Sequence, residues 1–352
     1  MRLKFWIGII ISVLCLYFVF RGIEWRKVLV VLGSVNYVYL AIGALIHLST
    51  IWFRAERWKY LLAPMKEFNF RQLVPATAIG FMANNILPAR AGEFIRAYII
   101  GKKARISGTA SFATIIVERV CDMTTMLLFF VIVLMLVKFP QAMDASGNIS
   151  LLSSAVLKKV GILSAVFVAG LVVFLVLFKE FPQKTRAVIQ KVLTPFPTSL
   201  QGKVLDLLDS FRLGLQVLKT GRHLVYLIGW SLVVWGAYAL GNWFLLRAFG
   251  LKLPLIAAIF IMVLVAFSVA LPSSPGYIGP FHAAIVAGVL FFLPTYDRSS
   301  AAGIAIVFHL IAIVPVTLMG LFYLWKENLS LSEIQHLEEE EQAEIRREIH
   351  KS

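Results

Sequence analysis

Charged residues are scarce in this sequence, and their scarcity excludes an ordinary soluble domain. Asp, Glu, Lys and Arg make up only 15% of the chain, whereas a soluble domain carries roughly a quarter. Hydrophobic residues make up 59%, and the mean hydropathy is +0.83. Several apolar runs approach the ~20 residues that cross a bilayer as a helix. The composition therefore predicts an all-α, polytopic membrane protein.

Cysteine and the common catalytic motifs are also nearly absent. Cys15 and Cys121 both fall in apolar stretches, which excludes a disulfide framework and a cysteine metal centre. The sequence lacks a Gly-rich phosphate loop and the His-Glu-x-x-His, Cys-x-x-Cys and Gly-x-Ser-x-Gly motifs. Its largest polar link, 179–221, is too short for an independent catalytic domain. We therefore expect no metal, no cofactor and no ATP-driven pumping by this chain alone.

The apolar runs predict about six spanning helices. They lie near 4–20, 37–53, 108–137, 152–178, 222–247 and 300–325. The first run begins like a signal peptide, with Arg2 and Lys4 before it. No small-residue cleavage site follows, so we expect this helix to be retained.

Basic residues set the expected orientation. The formal net charge is +15, and the excess lies in short loops between apolar runs, which is typical of cytoplasmic loops rather than of nucleic-acid binding. Residues 54–71, 96–105 and 179–221 are basic, whereas 138–151 is poorly charged. We therefore expect a cell-membrane protein, such as one of a bacterial inner membrane, with both termini in the cytoplasm.

A single transmembrane domain is expected over 1–325. Within it, apolar residues at helical spacing in the link 179–221 indicate an amphipathic helix on the cytoplasmic surface. Beyond it, 326–352 is an acidic cytoplasmic tail that includes four consecutive glutamates.

Two apolar stretches, 72–95 and 254–293, are interrupted by the same pattern, Leu-Pro-x-x-x-Gly. Proline removes a backbone donor and glycine permits a reversal, so each stretch is expected to form a re-entrant hairpin. The alternative is a pair of unrelated proline kinks in ordinary helices. The residues expected to shape the breaks are Pro88, Gly92, Pro272, Pro275, Gly276 and Gly279.

Three predicted spans separate the hairpins, and an odd number requires the hairpins to open toward opposite faces of the membrane. The units 37–137 and 222–325 would then form an inverted repeat. Paired Gly/Pro-interrupted segments in two inverted halves indicate a transport site near the bilayer midplane.

Ionisable residues lie where membrane depth is expected. They are Arg90, Glu93, Arg96, Glu118, Arg119 and Asp122. Each costs roughly 2.5–3.5 kcal/mol at the centre of a spanning helix, so together they need mutual pairing and water. We expect the arginines to contact a headgroup phosphate, because guanidinium binds phosphate oxygens in pairs. The carboxylates would orient them, and one could carry a coupling proton. The alternative is a structural ion-pair clamp.

The second hairpin carries few polar groups, namely Ser273, Ser274, Tyr277 and His282. Its broken backbone could offer amides to a headgroup. With Asn84 and Asn85 before the first break, these residues complete the candidate substrate site. For His282, packing between helices is the alternative to a proton-relay role.

The run from Asn85 to Glu93 with Arg96, then Glu118-Arg119-x-x-Asp122, then Pro275-Gly276-Tyr277-Ile278-Gly279, resembles the lysylphosphatidylglycerol synthase transmembrane-region family. Its members are also called flippase-like domain proteins, and the resemblance spans about residues 5–325. It implies a stand-alone lipid translocase without the aminoacyl-transferase domain of the bifunctional members. The residues that match the family's polar motif are Pro88, Arg90, Gly92, Glu93, Arg96, Glu118, Arg119 and Asp122. The second hairpin departs from the pattern at Ser273, Ser274 and Tyr277, which leaves the headgroup open.

Three functions remain as hypotheses. The first is a translocase for an anionic or amphiphilic lipid, with membrane lipids as partners and either a second copy or a lipid-synthesising enzyme beside it. The second is a transferase acting on a lipid-linked phosphate, with Glu93, Glu118 or Asp122 as general base or as ligands of a divalent cation. The third is a scaffold whose tail recruits a partner.

Overall fold

A computed structural model describes residues 2–87, 91–104, 108–139, 181–195, 221–270 and 275–329, with scattered helical positions within 159–180 and 201–205. The helices of the first part are α1 (Arg2–Phe20), α2 (Trp25–Gly33), α3 (Tyr37–Leu62), α4 (Phe70–Ile86), α5 (Gly92–Ala104) and α6 (Gly108–Leu136). Those of the second are α7 (Pro182–Leu193), α8 (Gly221–Ala248), α9 (Leu255–Ala270), α10 (Pro280–Phe292) and α11 (Arg298–Lys326). These residues contain helices and turns, with no strand among them.

The protein is an α-helical, multi-pass membrane protein. Five described helical segments are long and apolar enough to cross a bilayer: 37–62, 114–136, 225–248, 275–292 and 298–326. Shorter apolar helices cover 10–20 and 255–270. The predicted helices at 4–20, 108–137, 222–247 and 300–325 are confirmed as helices. The predicted span 152–178 lies largely outside the described residues, as do much of the link 179–221 and residues 330–352 of the tail.

One predicted boundary is wrong. Helix α3 does not end at residue 53 but continues to Leu62, because Ala55, Trp58 and Leu61 extend its apolar face into the core. Arg54 and Arg57, which were assigned to a cytoplasmic loop, are therefore buried within the bundle. They do not belong to the charges that orient the protein.

The first interrupted stretch folds back on itself. Helices α4 and α5, which we call the first hairpin, pack antiparallel and in close contact. A Cβ atom at Gly92 would overlap the carbonyl oxygen of Gly80, so the glycine permits this approach. The Asn84 Oδ1 accepts a hydrogen bond from the Gly92 backbone N–H at 2.9 Å, which closes the turn. A simple kink in one helix is therefore wrong for this segment. Pro88 and Arg90 lie outside the described residues.

The second interrupted stretch has the same form. Helices α9 and α10, the second hairpin, pack through Gly288 against Ile261 and through the Phe260 ring, 4.8 Å from that of Phe291. Between them the backbone adopts positive φ at Gly276 (72°) and Gly279 (98°), a conformation that glycine adopts without strain. Pro272, Ser273 and Ser274 lie outside the described residues, and Pro275 opens the short 3₁₀ turn that follows.

The two halves repeat the same series of helices. In the first half α3, α4, α5 and α6 have 26, 17, 13 and 29 residues. In the second half α8, α9, α10 and α11 have 28, 16, 13 and 29 residues. Helices α3 and α8 run antiparallel, since the Tyr60 ring stacks on that of Tyr226 at one end and Gly43 meets Leu245 toward the other.

The tips of the hairpins meet beside the middle of α11. At the first tip, the Asn85 Nδ2 donates to the Thr317 hydroxyl at 3.0 Å. At the second, the His309 Nε2 lies 2.7 Å from the Gly276 carbonyl oxygen. The base of the first hairpin is tied to the C-terminal end of α11, where Lys103 Nζ and Glu327 Oε1 are 2.8 Å apart. The base of the second leads directly into the N-terminal end of α11, so the tips approach one another from opposite ends of this helix.

Candidate substrate site

A cavity of about 220 Å³ lies where the two hairpin tips meet. Helices α3 and α8 form one wall, and α9, α10 and α11 form another. Its polar and aromatic lining consists of His47, Arg54, Phe81, Asn84, Asn85, Glu93, Arg119, Trp235, Tyr238, Asn242, Tyr277 and Phe281. Its aliphatic lining includes Ile51, Met262, Val265, Ala266, Val269, Ile285, Ile313 and Val316.

Matching positions of the two halves face this cavity. Counted from the start of each helix, Arg54 in α3 corresponds to Tyr238 in α8, and Glu93 in α5 corresponds to Phe281 in α10. In the first arms of the hairpins, Asn84 has Val269 as its counterpart. All of them line the cavity. The cavity therefore lies between the two halves, polar on the side of the first half and mainly apolar on the side of the second.

A buried ion network borders the polar side. Glu118 is fully buried and is contacted by three guanidinium groups: Arg57 at 3.1 Å, Arg96 at 3.0 Å and Arg119 at 3.0 Å. Arg54 lies farther away, at 3.9 Å. Glu118 Oε1 accepts hydrogen bonds from the Arg96 Nη1 at 3.1 Å and from the Arg119 Nη2 at 3.0 Å, and such charge-assisted bonds are stronger than neutral ones. One carboxylate thus joins helices α3, α5 and α6.

Asp122 lies one turn further along α6 and is also contacted by several side-chain donors. Its Oδ1 accepts from the Arg57 Nη1 at 2.7 Å and from the Trp235 Nε1 at 2.9 Å. Its Oδ2 lies 3.3 Å from Arg54 and 3.2 Å from Arg119. The indole of Trp235 brings α8 into the network, so the charges connect both halves of the molecule.

The arginines of this network have different environments. Arg57 and Arg96 are 0% and 3% exposed and lie behind the cavity, with the Arg96 guanidinium 3.7 Å from the centre of the Trp58 ring. Arg54 and Arg119 line the cavity. The Nε atoms of all four arginines lack a hydrogen-bond partner, and the Arg119 Nε lies 3.7 Å from the Glu93 carboxylate. Because of their lining position, Arg54 and Arg119 are the arginines among the described residues that a molecule in the cavity would contact.

The structure brings some of the predicted site residues together at the cavity and leaves others apart. Asn84, Asn85, Glu93, Arg119 and Tyr277 line it. The predicted ligands Arg96, Glu118 and Asp122 lie behind this surface and hold its arginines. The remaining candidates Arg90, Ser273 and Ser274 lie outside the described residues.

His282 also lies away from the cavity lining. Its ring is 4.6 Å from that of His309 and 5.9 Å from that of Phe20, and it is 6% exposed. The contacts are those of a packed aromatic side chain between α1, α10 and α11.

Arg54 and Arg57 are not among the site residues predicted from the sequence, although the sequence contains a signal for them. The two residues are one helical turn apart, and Trp58, Leu61 and Leu62 continue the apolar spacing past them. That continuation favours a longer helix with two inward-facing arginines over a basic loop. Trp235 and Tyr238, whose rings line the cavity, were not predicted either, because nothing in the sequence distinguishes them from the many other aromatic residues.

The cavity's chemistry suits an amphiphile. Guanidinium and amide groups at one side can bind an anionic or polar headgroup, and aliphatic side chains of α9 and α11 can contact a hydrocarbon chain. In the part of the chain that the structure describes, no group of three His, Cys, Asp or Glu side chains is placed to hold a metal ion.

Comparisons with known proteins agree with this architecture. The family described as the lysylphosphatidylglycerol synthase TM region matches residues 5–320. A UPF0104 membrane protein of Pyrococcus horikoshii is 25% identical over 93% of this chain and 97% of its own length. A UPF0104 membrane protein of Methanothermobacter thermautotrophicus is 26% identical over 71% of this chain and 73% of its own.

A third similarity is partial. The glycosyltransferase AglD of Haloferax volcanii is 31% identical over 34% of this chain, which corresponds to 19% of that protein. No solved structure matches the chain.

Proposed function

The chain belongs to the lysylphosphatidylglycerol synthase TM region family, and from this membership and its central cavity we propose that it translocates a lipid with an anionic headgroup across the membrane. The headgroup would enter the cavity between the hairpin tips while its acyl chains remain beside the apolar wall. The observation that carries the proposal is the position of the cavity where the two tips meet, with Arg54 and Arg119 in its lining.

The arrangement of the hairpins supports a re-entrant inverted repeat. Helix α11 has 29 residues, which at 1.5 Å per residue is enough to cross a bilayer. The hairpin bases lie at its two ends and the tips meet beside its middle, so the hairpins would enter from opposite faces. The basic residues Lys66, Arg71, Lys102 and Lys103 lie near the base of the first hairpin. This base would therefore face the cytoplasm, together with both termini.

Alternating exposure would move the headgroup. Tilting of one half against the other would open the cavity first to one face and then to the opposite face, as in other inverted-repeat transporters. Arg54 and Arg119 would hold the headgroup in both states, and Arg57 and Arg96 would hold the carboxylates that position these two arginines. A headgroup that is shielded in this way never meets hydrocarbon alone, which removes most of the cost of its crossing.

The test measures the rate at which acyl-labelled phosphatidylglycerol crosses the membrane of vesicles that contain the purified protein. The rate is obtained by quenching the label in the outer leaflet over time. We expect Arg119→Gln to slow translocation strongly, because it removes a cation from the cavity wall. The matched control is Lys102→Gln, which removes an exposed charge outside the cavity and should keep the rate of the unmodified protein. Equal rates for both variants would contradict the proposed site.

A membrane transferase is the second candidate, favoured by the partial similarity to a glycosyltransferase. Its acid–base groups would have to be Glu93, Glu118 or Asp122. The last two already bind several guanidinium groups, which leaves Glu93 as the cavity carboxylate. Formation of a new lipid product by purified protein with a sugar-phosphate lipid, lost in Glu93→Gln, would support this candidate instead.

A further inference from the structure

The ion network carries one unbalanced positive charge. Among the described residues it contains four guanidinium groups, from Arg54, Arg57, Arg96 and Arg119. They face three carboxylates, from Glu93, Glu118 and Asp122. The network is thus one negative charge short of neutrality. An uncompensated charge away from water is costly, so the structure favours an occupant that supplies the missing charge.

Buried nitrogen atoms without a hydrogen-bond partner occur on all four arginines of the network, but among the four only Arg54 and Arg119 line the cavity. The Nε of Arg54, in a side chain that is 3% exposed, has no hydrogen-bond partner. Its guanidinium lies 4.9 Å from the Phe81 ring centre and 5.3 Å from that of Trp235. These rings keep the group in place without neutralising it. An anion in the cavity would therefore contact the guanidinium groups of Arg54 and Arg119, which belong to a network with excess positive charge.

The size of the cavity limits the occupant further. Its volume of about 220 Å³ is below the ~300–1,000 Å³ of sites that enclose whole drug-sized molecules. A compact headgroup fits, while acyl chains must leave between the aliphatic side chains of α9 and α11.

We propose that the cavity selects lipids whose headgroup carries a single net negative charge, as a phosphodiester such as phosphatidylglycerol does, and that Arg54 and Arg119 bind this group directly. The inference rests on the proposed function and names the substrate class of the same site. Arg57 and Arg96 act as positioning residues through Glu118 and Asp122. Headgroups with no net charge leave the network unbalanced, and doubly charged ones reverse the imbalance.

The experiment compares binding and translocation of lipids that differ only in the headgroup. Binding is measured as the thermal shift of the purified protein in micelles on addition of dioctanoyl-phosphatidylglycerol, -phosphatidylcholine or -phosphatidate. Translocation is measured with the acyl-labelled long-chain forms. We expect phosphatidylglycerol to bind about ten- to a hundredfold more tightly than phosphatidylcholine, the range of one charged hydrogen bond.

Charge-changing variants sharpen the test. Glu93→Gln raises the net charge of the network by one and should shift the lipid preference toward phosphatidate. Arg119→Gln makes the network neutral and should abolish the preference for phosphatidylglycerol. The double variant Arg119→Gln, Glu93→Gln restores the net charge and should regain part of the preference, whereas Lys102→Gln should not change it.

The possible failures are distinguishable. Translocation of all three lipids at similar rates, with similar binding, would overturn the charge selectivity and leave the proposed function intact. Selective binding of phosphatidylglycerol without translocation of any lipid would support the selectivity and overturn the proposed function. Equal binding of glycerophosphoglycerol, which is the headgroup without acyl chains, would show a site for small anions and overturn the assignment to lipids.

Discussion

The two halves of the molecule have the same helices but different interiors. In α6 the positions of Glu118, Arg119 and Asp122 correspond to Phe308, His309 and Ala312 in α11. No Asp, Glu, Lys or Arg occurs in 253–296 or in 299–325. The second hairpin nevertheless folds back as the first does. A hairpin of this form therefore does not require buried ion pairs, so the hairpin shape alone does not explain the charges of the first half.

The corresponding positions still share one structural task. Arg119 contacts Glu93 at the start of α5, and His309 contacts Gly276 at the tip of the second hairpin. Each long helix thus holds the break of the hairpin that precedes it. In the first half the contact is an ion pair whose two groups also face the cavity. In the second half it is a hydrogen bond from His309 to a backbone carbonyl.

The largest difference between the halves should follow from removing Glu118. Glu118→Ala leaves buried guanidinium groups unpaired, so we expect the free energy of unfolding to fall by about 3–5 kcal/mol. At the corresponding position, Phe308→Leu removes part of a buried ring but leaves no charge unpaired, so it should cost about 1–2 kcal/mol. Denaturation by SDS in mixed micelles measures both. Similar losses would mean that the two interiors tolerate change equally.

A smaller difference is expected where the arms of each hairpin touch. Gly92→Ala places a methyl group on the backbone of Gly80, which cannot move aside, so we expect a loss of about 1–3 kcal/mol. In the second hairpin Gly288→Ala meets only the side chain of Ile261. Ile261 is buried and β-branched, so it must shift within the core, but a side chain shifts more readily than backbone and the loss should be smaller than that of Gly92→Ala. The same denaturation assay applies, and the reverse order would contradict the close packing of the first hairpin.

The tips should respond alike in the two halves. Thr317→Val removes the acceptor of the Asn85 amide, and His309→Phe removes the donor to the Gly276 carbonyl. Each should cost about 1 kcal/mol, which is typical of one hydrogen bond. The double variant should depart from the sum, since Gly276 lies against the Asn85 carbonyl and neighbouring contacts are coupled. A loss in only one variant would show that only one tip is anchored to α11.

The smallest effect is expected outside the bilayer, at the N-terminus of α11. The Ser300 backbone N–H donates to Asp297 and holds the pKa of this carboxyl below its usual range, with Lys27 adding to the effect. The stabilisation is therefore present above the ordinary value near 3.8 and is lost as the pH falls through the lowered one. Asp297→Ala should cost about 1 kcal/mol or less at neutral pH. Its thermal midpoint should fall less than that of the unmodified protein on acidification below about pH 4, and parallel curves would contradict the assignment.

Local chemistry made much of the fold predictable from the sequence. The breaks near Gly92 and Gly276 follow from proline and glycine placed in apolar runs. The odd number of spans between the hairpins stays a prediction, because the span 152–178 lies largely outside the described residues. The charges of α6 were conspicuous because such groups are rare at membrane depth. These features depend on residues that are close together in the chain.

The partners of those charges could not be predicted in the same way. Arg57 contacts Asp122 across 65 positions of sequence, and Trp235 contacts it across 113. Such pairs depend on how the helices cross, which local spacing does not contain. The two halves have similar helix lengths while their buried residues differ in chemistry, so in the sequence only the interrupted stretches pointed to their correspondence.

The N-terminal helices have a consequence for biosynthesis. Helix α1 packs its Ser12 backbone against Gly279, and the Glu24 backbone N–H donates to the Ser299 hydroxyl, 275 positions later in the chain. Because synthesis runs from the N-terminus, helix α1 is made well before these neighbours in the second half. Until they have been inserted, the face of α1 that packs on them is exposed to lipid or to the insertion machinery.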